Sequence, residues 1–236
     1  MYLYCAMTLY SQIGLINQVT EDKQMVERPT IVPRVDDRDW SNLTLGEQIR
    51  QIEVEGYLII PNVLTEEQIQ LLKEQVGTLE TIGADYSENQ RMGFEVMFMG
   101  GEVTELAAHP LIIPFLRELM GHDIICMTGT YARSQPGHPG MVLHTDAGGT
   151  GSPRHAVRVL YYLTDLTPET SPFRVIPRSN LSMHAEGNSW KRYLEHPDEV
   201  MVNVKAGSAA LINIKVFHGN YPNTGDDVRE MIAYMY

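Results

Sequence analysis

Residues 209–236 read AALINIKVFHGNYPNTGDDVREMIAYMY. Two apolar runs, Ala209–Ile214 and Arg229–Tyr236, flank a linker rich in Pro, Gly, Asn and Asp. Those residues favour turn backbone, so the linker reverses the chain and makes the second run an antiparallel partner of the strand before it. The first run continues through Lys215-Val216-Phe217 to His218 and Gly219, a strand end that opens into a turn.

The same texture begins upstream near Ile124. Short β-rich runs occur at Ile124–Arg133, Met141–His144, Ala156–Leu163, Phe173–Ile176 and Val200–Val204, separated by turn residues. Strands at this spacing predict a sandwich or barrel. The preceding sequence reads as helical: Leu45, Ile49 and Ile52 have helical spacing before Gly56, and Thr65-Glu66-Glu67-Gln68 is a capping box ahead of Ile69, Leu72 and Val76. Helices are therefore expected over Leu45–Glu55, Glu66–Leu79 and Leu111–Met120, with a short strand at Tyr57–Ile60. Helices first and strands afterwards describe an α+β chain, mainly β, in which a β core carries flanking N-terminal helices. The approach Glu27–Asp39 reads as extended coil. Residues 1–42 are expected to form an extension, partly coil, and 43–236 one domain.

Composition narrows the function. With 18 basic and 30 acidic side chains the net charge is −12, which repels polyanions and argues against nucleic-acid and anionic-membrane partners. Cys5 and Cys126 have neither zinc-site nor disulfide spacing, so a cytoplasmic setting is expected. Met1–Ile16 is apolar but lacks a basic flank, and Gln12 interrupts it, so neither signal peptide nor membrane span is expected. No sequence feature sets the oligomeric state; a homodimer is compatible with it. The chain ends directly after the Arg229 strand, which fits either a compact protein or a truncated one.

His144-Thr145-Asp146 places an imidazole and a carboxylate two residues apart, a spacing that projects both to one face of an extended strand. With His218 as third ligand they would form the two-histidine, one-carboxylate facial set of non-haem iron(II) oxygenases. The other histidines suit the role less well. His155, His184 and His196 lie in polar, loop-like surroundings, whereas His109, His122 and His138 neighbour Pro or Gly and read as turn or cap residues. A His-x-Asp triplet alone is a common motif; a distant strand-terminal His raises its weight. Arg229 raises it further, because it lies eleven residues after His218 and shares a strand face with Met231 and Ala233. A guanidinium among inward positions requires an anion, and its planar fork suits a carboxylate such as the distal one of 2-oxoglutarate.

The order His144-Thr145-Asp146, His218, Arg229 resembles that of the phytanoyl-CoA dioxygenase family of iron(II)/2-oxoglutarate oxygenases. The resemblance extends to Gly56-Tyr57-Leu58-Ile59-Ile60-Pro61-Asn62-Val63-Leu64-Thr65-Glu66-Glu67, to Leu163-Thr164-Asp165-Leu166-Thr167-Pro168-Glu169 and to Arg174-Val175-Ile176-Pro177, covering about Leu43 to Tyr236. It implies a double-stranded β-helix, the jelly-roll or cupin-like core, with Arg133 and Asn220 as further cosubstrate contacts. It also implies Fe(II), 2-oxoglutarate and O₂ as cofactors, ascorbate in a supporting role, and succinate and CO₂ as co-products of oxidising a C–H bond in a small molecule. Retention of Asp146 favours hydroxylation, since related halogenases carry a small residue there. Two departures concern loops: Ser171 stands near a usual Gly, and Pro177-Arg178-Ser179-Asn180 replaces Pro-Gly-Ser-His.

Substrate contacts are expected from Tyr131, Met141, Arg158 and the loop Ala147-Gly148-Gly149-Thr150-Gly151, while Met92, Met97 and Met99 most simply fill the core, a hydrophobic substrate wall being the lesser reading. The alternatives are desaturation, epoxidation, endoperoxidation or ring formation by the same cofactors, and, from another class, a non-catalytic metal-binding jelly roll. A zinc hydrolase fits less well, for no helical motif supplies a general base.

Overall fold

The computed structural model describes residues 33–84, 87–147, 155–183 and 192–236. Thr44 and Thr65 each start a helix by a reciprocal cap, in which the hydroxyl accepts from the N–H three residues on and the side chain of Glu47 or Gln68 accepts from the threonine N–H. The first helix, α1 (Leu45–Arg50), widens into a π turn over Gln51–Glu55 and stops at Gly56, whose φ is +86°. Only glycine suits this position, since an added Cβ would lie 2.6 Å from Val216 Cγ2. Helix α2 (Glu66–Gly77) ends two residues before the expected Leu79. A short helix not foreseen from sequence, α3 (Gly101–Leu106), precedes α4 (Ile113–Met120), which ends at Gly121 as expected.

The strands form two sheets. One has the order β1 (Arg34–Asp36), β9 (Val200–Val202), β8 (Phe173–Val175), β11 (His218–Asn220) and β6 (Met141–His144). The other runs β2 (Tyr57–Ile60), β10 (Ala209–Asn213), β7 (Val157–Tyr162), β12 (Arg229–Met235), β5 (Thr128–Ser134), β4 (Ser87–Phe94) and β3 (Ile82–Ala84). From β5 onward the chain passes repeatedly from one sheet to the other, which is the winding of a double-stranded β-helix. Two expectations are corrected. Part of the segment read as coil forms β1, parallel to β9, where Asp36 is buried and accepts from the Tyr57 hydroxyl at 2.6 Å. The polar run Ser87–Phe94 forms a strand paired with β5, its mixed side chains having hidden the alternation.

The larger sheet has two unlike faces. Its outer face packs on the helices through Ile232, Tyr161 and Tyr234 with Leu72, Val103 and Leu116. Tyr161, Tyr234 and Tyr236 donate to the carbonyls of Leu106, Val103 and Ala107, bonds that tie the C-terminal end of α3 to the sheet. Its inner face, carrying Thr130, Ala132, Leu160, Arg229 and Met231, lines a cavity.

The two loop departures share one geometry. Ser171 and Arg178 both have positive φ, +55° and +67°, the left-handed region that favours the glycine usual in the resembling family. Ser171 offsets this strain by donating to Tyr221 O at 2.8 Å and accepting from Asn220 Nδ2 at 2.6 Å. Arg178 makes a two-pronged pair with Glu55 at 2.8–3.1 Å. Among the described residues no helix is long and apolar enough to cross a membrane.

Candidate metal and cosubstrate site

β6 and β11 are antiparallel neighbours, and their register sets His218 directly opposite His144. The ring centroids are 4.5 Å apart. Gly219 permits the close approach, because a Cβ there would lie 2.6 Å from Met141 O. Asp146, just past the end of β6, is fixed by its backbone N–H donating to Ile214 O at 2.9 Å. Its carboxylate faces both rings, with Oδ1 3.7 Å from His144 Nε2 and Oδ2 3.6 Å from His218 Nε2. One candidate ligand atom from each of the three residues falls within a 4.8 Å span.

Backbone contacts decide which ring nitrogens face that centre. His144 Nδ1 lies 2.9 Å from Val142 O, and His218 Nδ1 lies 3.1 Å from Val216 O. A carbonyl only accepts, so each Nδ1 carries the proton and each Nε2 turns its lone pair toward Asp146. Electrostatics prepare the same donors. Burial pushes the Asp146 carboxyl up, but the Arg158 guanidinium, then His218 and His144, outweigh it and hold the group at about 2. For His218 burial lowers the pKa against the pull of Asp146, which keeps the ring neutral. Two imidazoles that present Nε2 and an ionised carboxylate on one side suit a mid-row divalent metal such as iron(II) and leave its other face open.

The cavity runs from His144 and His218 to Arg229. Arg229 is only 3% exposed and sits 5.4 Å over the Tyr162 ring. Its Nη1 donates to Ser134 Oγ and its Nη2 to Met231 Sδ, both at 3.3 Å, while Nε has no acceptor among the described residues. Ser134 in turn donates to Gln90 Oε1 at 2.5 Å. Among the described residues no carboxylate comes within ion-pair distance of this buried cation. A thioether and a hydroxyl are weak substitutes for one, so the donor set fits an incoming carboxylate.

Other expected site residues divide by sheet face. Met141, Arg158 and Asn220 line the cavity with the histidines. Asn220 Nδ2 is engaged by Ser171 Oγ and Tyr221 O. Tyr131 and Arg133 are not brought to the site: they alternate with the lining residues Thr130 and Ala132 and so project from the outer face, where the Tyr131 hydroxyl meets Glu230 at 2.5 Å. Gly148, Gly149, Thr150, Gly151 and His184 lie outside the described residues, as do Cys5 and the rest of residues 1–32. His109 and His138 sit in turns as expected, but both are buried, and His138 leaves both ring nitrogens without a partner among the described residues.

Several site residues escaped the sequence reading. Gln90 and Ser134 brace the guanidinium, and Phe173 lines the wall. Met97 and Met99 pack on the core as expected, whereas Met92 faces the cavity. Period-two counting from Arg229 through its partner strand would have found Ser134, which is its register partner; Gln90 required recognising β4.

A jelly roll with two histidines and one carboxylate at one end of its cavity, and a buried arginine at the other, defines the class of non-haem iron(II)/2-oxoglutarate dioxygenases. Within it, the chain belongs to the phytanoyl-CoA dioxygenase (PhyH) family, whose model matches residues 52–231. It is 26% identical over 220 residues to "Dioxygenase FUM3" of Gibberella moniliformis, covering 80% of this chain and 70% of that one. Among solved structures it is similar to HygX from Streptomyces hygroscopicus with nickel and 2-oxoglutarate bound, at a TM-score of 0.71 and 18% identity over 82% of this chain and 86% of that one. The 2-oxoglutarate-dependent carbocyclase SnoK from nogalamycin biosynthesis gives a TM-score of 0.71 and 22% identity over 83% and 84% of the two chains.

Proposed function

We propose that His144, Asp146 and His218 hold iron(II), that Arg229 binds the distal carboxylate of 2-oxoglutarate, and that the enzyme hydroxylates a C–H bond of a small organic molecule. The observation that carries this reading is Arg229, a buried guanidinium without a carboxylate partner among the described residues, at the end of a cavity that begins at the two histidines. A module that only bound metal would have no use for it. When bound, iron(II) and 2-oxoglutarate supply oxygen activation coupled to decarboxylation.

The chain's own residues then have separable tasks. Val142 and Val216 carbonyls fix the imidazole tautomers, and Arg158 keeps Asp146 ionised. Ser134 and Gln90 hold Arg229 in place, and Asn220, anchored by Ser171, walls the cosubstrate side. Leu160, Phe173, Met92 and Met141 exclude water from the reacting carbon. Retention of Asp146 supports oxygen insertion over halogen transfer, since a halide would need the carboxylate's position.

Anaerobic addition of Fe(II) and 2-oxoglutarate should give a weak visible charge-transfer band, diminished in His218→Ala and Arg229→Ala. Absence of the band in the intact protein refutes the cosubstrate assignment. Ring formation is a second reading, favoured by the shared fold with the carbocyclase SnoK. Product mass separates the two, because hydroxylation adds one oxygen and cyclisation removes two hydrogens.

A further inference from the structure

Arg158 and Arg229 stand at opposite ends of one cavity wall. On β12 the residue in register with Arg158 is Met235, six positions beyond Arg229, which is roughly 20 Å along a strand. Arg158 points into the cavity at the metal end, with Nη1 3.0 Å from Asp146 Oδ2. This contact is an ion pair only: Oδ2 receives no directed hydrogen bond, and Arg158 Nε, also buried, finds no acceptor among the described residues. The charge of Arg192 is felt at Asp146 and His218 as well. This cationic corner belongs to a chain whose net charge is −12.

Under the reading proposed above, the filled site keeps one positive charge too many. The two charges of the metal are met by the cosubstrate dianion, and Asp146 answers one guanidinium. A second guanidinium remains; the Arg158 side chain is only 24% exposed, and an uncompensated charge withdrawn from water is costly. The cosubstrate cannot serve both arginines and the metal across that span.

We propose that Arg158 anchors a carboxylate of the substrate, so that the substrate class is small organic acids with an apolar body, the body lying against Met141, Leu160 and Phe173. This deepens the oxygenase reading and rests on it. The planar fork suits a carboxylate, and the free Nε–H beside an Nη–H offers the two parallel donors that such a group accepts.

The test uses protein loaded with Co(II) and saturating 2-oxoglutarate, and follows cobalt d–d absorption while butanoate, hexanoate and octanoate are compared with their amides. At least one acid should perturb the spectrum with a dissociation constant at least tenfold below that of its amide. Arg158→Met should abolish the preference and Arg158→Lys should keep a reduced one; the lysine variant decides the matter should the methionine variant lose cobalt. Equal responses to acid and amide, no response to any acid, or an acid preference that survives in the variants overturns the proposal, the last by indicating direct ligation of the metal. A protein that gives no cobalt and 2-oxoglutarate spectrum at all refutes the cofactor reading and this proposal with it, and is distinguishable from a normal spectrum that ignores the acids.

Discussion

Replacing Arg229 by methionine should move cosubstrate binding and fold stability in opposite directions. In the protein without cosubstrate the guanidinium is 3% exposed, and its two hydrogen bonds, to Ser134 Oγ and Met231 Sδ, are both 3.3 Å long and end on uncharged acceptors. Exchanging such a cation for an apolar side chain of similar length is neutral or stabilising by about 1 kcal/mol, the low end of what replaced buried charges return. Ser134 keeps its bond to Gln90, so the substitution leaves no new unsatisfied hydroxyl. Binding of 2-oxoglutarate, by contrast, loses a two-pronged charge-assisted contact. At about 1.5 kcal/mol for each hydrogen bond the loss is about 3 kcal/mol, roughly a hundredfold in dissociation constant. Calorimetric titration of Zn(II)-loaded protein with 2-oxoglutarate measures the second effect, and urea unfolding of the metal-free protein the first. A control isolates the contact: 2-oxopentanoate, which lacks the distal carboxylate, should bind both proteins about equally and as weakly as 2-oxoglutarate binds the variant. The reasoning fails if Arg229→Met lowers stability by more than about 2 kcal/mol while 2-oxoglutarate still binds as before, since Arg229 would then be a structural cation.

Two further outcomes concern stability. His138 is buried beside Arg229, and burial together with that charge holds its pKa at about 4, below the ordinary 6.5. Because the unfolded chain takes up the proton first, stability should be complete above pH 6.5 and fall by about 3 kcal/mol as the pH drops to 4; urea midpoints against pH should show a shallower slope in His138→Asn, and an unchanged slope counts against the assignment. Tyr236→Phe removes the 2.6 Å bond to Ala107 O and should cost about 1 kcal/mol in chemical denaturation, with the iron and 2-oxoglutarate band unaltered; loss of the band would place this tyrosine in the site's support.

Much of the site was legible before the fold because its chemistry is local in sequence or periodic along a strand. His144 and Asp146 are two residues apart, His218 ends an apolar run, and Arg229 begins the next one after a reversing linker. Each of those statements needs only the two-residue repeat of a strand and the backbone preferences of turn residues. The same repeat explains what went astray. Tyr131 and Arg133 lie on the correct strand but one residue out of phase with the lining, so their side chains leave by the other face. Register is a property of the pairing between strands, and no single strand contains it.

Ser171 and Arg178 illustrate a different limit. Their departure from glycine was visible in the sequence, but the left-handed backbone they share and the hydrogen bonds that compensate it belong to the folded loops. Gln90 escaped notice since a strand of mixed polar residues lacks an apolar alternation, and only pairing with β5 shows which of its side chains point inward.

By itself, the sequence determined the architecture and the candidate site's residue types: strand runs, capping boxes, two histidines, one carboxylate and one arginine, all encoded by short-range pattern. Tertiary structure decided what those groups face. It turned both Nε2 atoms toward Asp146, buried Arg229 without an anion among the described residues, and set Arg158 against the Asp146 carboxylate, because charge and direction at a site are sums over strands that meet only when the two sheets close.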